Sequence, residues 1–281
     1  MMGKMVVPNG ACDCHIHVFK KGAPTIAGAV AAPEEEDVTR YRAMRDALGL
    51  TRAVIVQPTA YGTDNRVTAE GIKALGATDT RGIAIVDNTA SDSLLRDLTD
   101  GGFCGARFQM LPGGIIGWDQ LDRIAERVNG FGWHAQLQLD GRTLPDRAEQ
   151  ILSWPGRIVI DHIGKFLEPV TPDHRAFQCL LRLVDTGRVW VKLSAPYEVS
   201  RIGAPGYDDV SVLARALARH APERMLWASN WPYLMTTPRP DDQRMLELMS
   251  EWAPDSAIQK RILCDNPQEV YGFGSEQPKT P

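Results

Sequence analysis

Short runs of β-branched and other apolar residues alternate with longer amphipathic runs from one end of the chain to the other. That alternation predicts strands separated by helices rather than a series of hairpins. The predicted strands are 11–18, 52–57, 82–87, 105–110, 135–140, 157–161, 189–194 and 224–229. Helices are predicted over 37–48, closed by Gly49, and along the Leu94, Leu95 and Leu98 face that stops at Gly101-Gly102. Others follow over 145–154, 176–185 with its stop at Gly187, 210–219 and 243–252. The unbroken apolar run of Arg157-Ile-Val-Ile-Asp161 suits a strand covered on both faces.

Eight strand-then-helix units match a (β/α)8 TIM-type barrel of the α/β class, which needs about 250 residues and removes its sheet edges by closing. An open doubly wound sheet is the competing arrangement. It would place a glycine-rich turn after the first strand, where this chain has Cys12-Asp-Cys-His-Ile-His17. No repeat or linker divides the chain, so residues 1–281 read as one barrel domain. A Gly/Ala/Pro-rich loop over 20–36 is long enough to cover a site, and the tail from Ser275 reads as frayed.

Composition narrows the function. With 281 residues, 43% apolar and 23% charged, the chain reads as a compact enzyme-sized protein, and no apolar run approaches the roughly 18 residues of a membrane span. The net charge of −4 and the dispersed arginines leave no basic footprint, so neither nucleic acid nor membrane is an expected partner. Five cysteines, of which only Cys12 and Cys14 are close in sequence, argue against a disulfide framework and for a reducing compartment. Residues 1–9 lack the apolar core of a signal peptide, and the cytoplasm is the expected location.

In a barrel, chemistry sits where strands end. The first strand ends in Asp13, His15 and His17, which strict alternation puts on one inward face, with Cys12 and Cys14 on the other as packing residues. The sixth ends in Asp161 and His162, the eighth in Asn230-Trp-Pro232. Arg107 and Gln109 lie on the fourth strand, Gln57 ends the second, and Lys192 lies on the seventh with Tyr197 beyond it. Arg107, an always-charged fork, suits a substrate carboxylate. Asp161 serves either the chemistry or a neighbouring loop. Tyr61, Asp64 and Asn65 are candidate substrate contacts, though turn chemistry accounts equally for Asp64 and Asn65. His134 falls at the wrong end of the barrel.

The Asp-x-His-x-His ending of the first strand, the His ending the sixth and the Trp-Pro after the eighth resemble the amidohydrolase superfamily, in its amidohydrolase-related branch. Val54-Ile-Val-Gln57 with Tyr61-Gly-Thr-Asp-Asn65, Arg81-Gly-Ile-Ala-Ile-Val-Asp87, Gly105-Ala-Arg107 and Val159-Ile-Asp-His162 resemble the 2-pyrone-4,6-dicarboxylate lactonases. Leu111-Pro-Gly-Gly114, Asp161-His-Ile-Gly-Lys-Phe166, Tyr197-Glu198, and His220-Ala-Pro-Glu-Arg224 leading to Asn230-Trp-Pro232 resemble the D-galactarolactone isomerases.

What the resemblance implies turns on Asn230. Most of the superfamily has there an Asp that takes a proton from attacking water, and an amide cannot do so. The implied activity is isomerisation of a sugar-diacid lactone, of the D-galactaro-1,5-lactone to 1,4-lactone type, without metal and within sugar-acid catabolism. A hydroxyl of the substrate attacks, one histidine takes its proton, and Asn230 orients it. His15, His17 and His162 surround the carbonyl, while Arg107, Lys165 or Lys192 hold the carboxylate. Were a divalent ion such as Zn bound, His15, His17 and His162 would be its ligands, weakened by the missing carboxylate. A lactonase with a histidine base and an inert sugar-acid binding protein are the alternative readings; a homo-oligomer is left open.

Overall fold

The structure, a computed structural model, describes residues 5–29, 33, 36–234 and 236–274. Eight strands form one sheet in sequence order: β1 (Cys12–Ile16), β2 (Arg52–Val56), β3 (Thr80–Ala84), β4 (Phe103–Gln109), β5 (His134–Gln138), β6 (Ile158–Ile160), β7 (Val189–Leu193) and β8 (Met225–Trp227). Every neighbouring pair is parallel. The ring closes past the end of β8, where Asn230 N donates to His15 O at 3.0 Å, His17 N to Trp231 O at 2.9 Å, and Ile16 bridges Trp231. The fold is the expected (β/α)8 barrel.

The helices are α1 (Val38–Leu48), α2 (Arg66–Leu75), α3 (Asp92–Asp100), α4 (Trp118–Asn129), α5 (Leu144–Ser153), α6 (Arg175–Asp185), α7 (Asp208–His220) and α8 (Asp242–Trp252), followed by short α9 (Ser256–Lys260) and α10 (Asn266–Tyr271). Asp37 caps α1 by accepting from Thr39 N and Arg40 N, and Gly49, at φ 76°, ends it. Besides the short α9 and α10, two helices fall where the pattern assigned none. In α4, buried Leu121, Ile124, Ala125 and Val128 form a legible helical stripe. In α2 only Thr68, Gly71 and Ile72 are buried, too thin a stripe to read. Gly71 lets α2 lie close to the barrel, since a Cβ there would stand 2.8 Å from Ile55 Cδ1.

Strand ends depart from expectation in one consistent way. Gln57, Asp161, Ser194 and Ser229 lie just past their ladders, because the chain leaves the sheet at the mouth where the site is built. The register also shifts between Asp13 and Ile16. This bulge breaks the alternation assumed for β1. Cys12 and Cys14 therefore pack inside the barrel with Val54, Val56, Val159, Trp190 and Leu226, above a floor of Val270, Tyr271 and Phe273. Asp13 instead ties the end of β8, accepting from Ser229 N at 2.9 Å and Ser229 Oγ at 2.5 Å.

Parts of the 20–36 loop (30–32 and 34–35) and the tail from Ser275 lie outside the described residues. Among the described residues, no helix is long and apolar enough to cross a membrane.

Candidate active site

Above the apolar floor the barrel interior turns polar. Lys192 from β7, Gln136 from β5, His15 from β1 and Asp161 after β6 meet in one buried layer. The Lys192 ammonium donates to Gln136 Oε1 at 2.7 Å and lies 3.2 Å from both His15 Nδ1 and Asp161 Oδ1. Gln136 Nε2 donates to Asp161 Oδ2 at 3.2 Å, which closes the network. Burial, the largest single influence, would raise the Asp161 pKa, but Lys192, His162 and Arg107 together outweigh it and hold the carboxyl below its usual range. Burial pulls Lys192 down, with Asp161 opposing the fall.

The His15 ring of this layer is joined by two more imidazoles, His17 and His162. His17 Nδ1 lies 2.8 Å from Val56 O, and His15 Nε2 lies 3.3 Å from His17 Nε2. A carbonyl only accepts, so His17 donates through Nδ1 to Val56 O. His15 Nδ1 stands between a donor and an acceptor, 3.2 Å from Lys192 Nζ and 3.3 Å from Asp161 Oδ1. His162 Nδ1 pairs with Ser194 Oγ at 2.9 Å. Burial lowers all three pKa values, to about 3 for His17 and well below the usual histidine range for His15 and His162. The imidazoles are neutral near pH 7.

The turns above the strands carry the rest. His162, Ala195 and Asn230 adopt positive φ (54°, 50° and 61°), a left-handed conformation that Asn accepts more readily than His or Ala. Asn230 Nδ2 donates to Tyr197 Oη at 2.8 Å and to Glu198 Oε1 at 2.9 Å. Because a carboxylate can only accept, the amide orientation is fixed, and Asn230 Oδ1 has no protein partner among the described residues. The other Glu198 oxygen pairs with Lys165. Arg107 from β4 donates to Gln57 O at 2.8 Å and to Gln138 Oε1 at 3.1 Å, while its Nε has no partner. His17, Arg107, Gln138, His162, Glu198 and Asn230 line a cavity of about 120 Å³.

The expected site is thus assembled around His15, His17, His162, Arg107 and Asn230, with corrections. Gln57 points away, toward α2: its Nε2 donates to Gly62 O and Asp64 O, and its Oε1 accepts from Thr68. The inward positions of β2 are Val54 and Val56, so period two turns Gln57 outward. Tyr61 packs on Phe19 and accepts from Lys20 N. Asp64 forms an exposed pair with Arg66, and Asn65 clamps Ile85 through both its backbone groups. Lys192 sits beneath the histidines, paired with Asp161, instead of at a substrate carboxylate. Lys165 and Tyr197 reach the site through Glu198 and Asn230, beside an adjoining hollow they line with Gln109. His134, as expected, lies at the floor end against Tyr271.

Gln136, Gln138, Ser194 and Glu198 carried no expected role. The two glutamines were legible, since His134-Ala-Gln-Leu-Gln138 places alternate residues on one face. Glu198 reaches the cavity through the turn that follows β7, which no strand pattern encodes.

His15, Asp161 and His162 bring ligand-type atoms within 4.8 Å of one another. The Lys192 ammonium, 3.2 Å from both His15 Nδ1 and Asp161 Oδ1, already holds the position of a cation among them. The other His15 nitrogen is paired with His17. A divalent ion bound there would have to compete with that ammonium for these atoms.

Known proteins resemble this chain along nearly its whole length. A D-galactarolactone isomerase from Agrobacterium fabrum is 35% identical over 272 residues, spanning 94% of this chain and 91% of that one. A 2-pyrone-4,6-dicarboxylate hydrolase from Comamonas testosteroni is 31% identical over 279 residues, with 94% and 91% covered. An apo crystal structure from Agrobacterium tumefaciens superposes with a TM-score of 0.87 at 34% identity, covering 96% of this chain and 98% of that one. The profile of one family, described as amidohydrolase, spans residues 12–273, from the first strand to the barrel floor. The chain belongs to the amidohydrolase family.

Proposed function

We propose that the protein is a lactone isomerase that works without a metal, converting a sugar-diacid 1,5-lactone of the D-galactaro type into the 1,4-lactone. The observation that carries this reading is the charge count at the cavity. Lys192 faces Asp161 and Lys165 faces Glu198, whereas among the described residues no carboxylate lies within 4.0 Å of the Arg107 guanidinium. The cavity therefore offers one uncompensated positive charge. A diacid that has closed one carboxyl into a lactone keeps one free carboxylate, which matches; 2-pyrone-4,6-dicarboxylate carries two.

Arg107, which lines the cavity, meets that carboxylate with its guanidinium charge. The lactone carbonyl lies at the imidazoles. In the tautomer in which Ser194 donates to His162 Nδ1, the His162 Nε2 proton is left for the oxyanion. The buried Lys192 charge beneath supports the same oxygen. Asn230 leaves no base for water at the end of β8, and Oδ1 is left to receive a substrate hydroxyl. A hydroxyl already held beside the carbonyl gains an effective concentration that free water lacks, which favours transfer within the substrate over hydrolysis.

A proton NMR time course of fresh D-galactaro-1,5-lactone with chelator-treated enzyme tests the reading. Build-up of the 1,4-lactone above the spontaneous rate supports it. Appearance of the open diacid alone would instead support the lactonase reading, which the hydrolases among the relatives favour.

A further inference from the structure

Resting on the isomerase reading, we propose that Glu198 is the catalytic proton carrier: it takes the proton of the attacking hydroxyl and returns it to the departing ring oxygen. Among the described residues it is the one carboxylate lining the cavity. Asp161 is fully buried and held by Lys192 and Gln136, and Asp13 is held by Ser229. His15 and His17 have both ring nitrogens engaged, with Lys192, with each other and with Val56 O. The histidine base expected from the sequence has no free lone pair on those two rings.

Glu198 reaches the place a carboxylate at position 230 would serve, but from the neighbouring turn. Its Oε1 stands 2.9 Å from Asn230 Nδ2, and Lys165 holds the other oxygen. A carboxylate has about four acceptor positions, so these two bonds leave room for a substrate hydroxyl. Asn230 Oδ1, facing the same cavity, takes a neighbouring hydroxyl and so sets the sugar's rotation.

The proton count closes on one residue. The hydroxyl on carbon 4 gives its proton to Glu198 as its oxygen bonds to the lactone carbon, and the carbonyl electron pair moves to the oxyanion. When the carbonyl re-forms, the bond from that carbon to the carbon-5 oxygen breaks, and Glu198 returns the proton to it. Carbons 4 and 5 are adjacent, so one carboxylate reaches both oxygens. No water, metal or second acid enters the balance, and Glu198 ends each turnover as it began.

The test is Glu198→Gln, which preserves shape and hydrogen bonding but cannot accept the proton, compared with Glu198→Asp. Initial rates are followed by proton NMR on D-galactaro-1,5-lactone, and folding is checked by thermal melting. A positioned base contributes about 100-fold or more. We expect kcat of the Gln variant to fall by at least about that factor with KM within about threefold, and the Asp variant to exceed it by about tenfold. A Gln variant within about threefold of the wild-type kcat, or equal rates in the two variants, overturns the role of Glu198 alone. Wild-type enzyme that forms no 1,4-lactone overturns the isomerase reading as well.

Discussion

Lys192 Nζ lies 3.2 Å from Asp161 Oδ1, with both side chains shut off from solvent. A buried ion pair gains little over apolar packing, yet breaking one partner away is expensive. Here both members of the pair also face His15 Nδ1, Lys192 Nζ at 3.2 Å and Asp161 Oδ1 at 3.3 Å, so the pair is coupled to that imidazole.

Lys192→Met is therefore expected to lower stability by about 3–5 kcal/mol, because it strands the Asp161 charge in the interior. The acid limb should change too. In the wild type Asp161 sits below its ordinary value of 3.8, so its stabilisation is present above that value and is lost as pH falls through the depressed one. Urea unfolding from pH 3 to 7 should show that loss in the wild type and not in the variant; matching acid limbs would contradict the pairing.

Arg107→Gln should raise KM for the lactone acid by about 10-fold to 150-fold, the equivalent of roughly 1.5–3 kcal/mol for hydrogen bonds to a charged group. Arg107→Lys should fall between, since an ammonium lacks the planar fork. The control is a sugar lactone with no carboxylate, processed slowly, for which the substitution should leave KM unchanged. An equal effect on both substrates would show that Arg107 only braces Gln138.

Asn230→Asp places a second carboxylate against Glu198, where the amide now donates at 2.9 Å. Two carboxylates that close cannot both ionise easily, so they should share a proton and make a base for water. Isomerisation should fall and open diacid should appear among the NMR products. Unchanged rates of both reactions would sink the argument from position 230.

Chelator treatment is expected to leave kcat within about twofold, and added zinc to bring no gain, because the Lys192 ammonium holds the position a cation would take between His15 and Asp161. Saturable zinc binding by calorimetry, accompanied by a rise in activity, would refute this.

The alternation of apolar runs was enough to place all eight strands, and the polar residues at their ends pointed to His15, His17, His162, Arg107 and Asn230. Misreadings arose where side-chain direction depends on something periodicity does not carry. The register shift in β1 brought Cys14 and His15 to the same interior and sent Asp13 to Ser229. Gln57 ends its strand as expected but has the wrong parity to face inward. Glu198 stands in a turn, and its reach to the cavity follows from the left-handed Ala195 before it. The role of Lys192 was hidden for another reason: a lysine at a strand end reads as a ligand for anions, and only the fold shows Asp161 waiting for it.

The closure of the barrel has a consequence for how such an enzyme changes. The backbone of residue 230 is pinned by His15 O, and the serine beside it by Asp13, so the strand bearing the histidines also dictates where the last strand ends. Position 230 is in effect a fixed socket, whose left-handed turn suits Asn and Asp alike. Exchanging one for the other needs no backbone movement, and a lineage could pass from one reaction to the other by a single codon change without first rebuilding its scaffold.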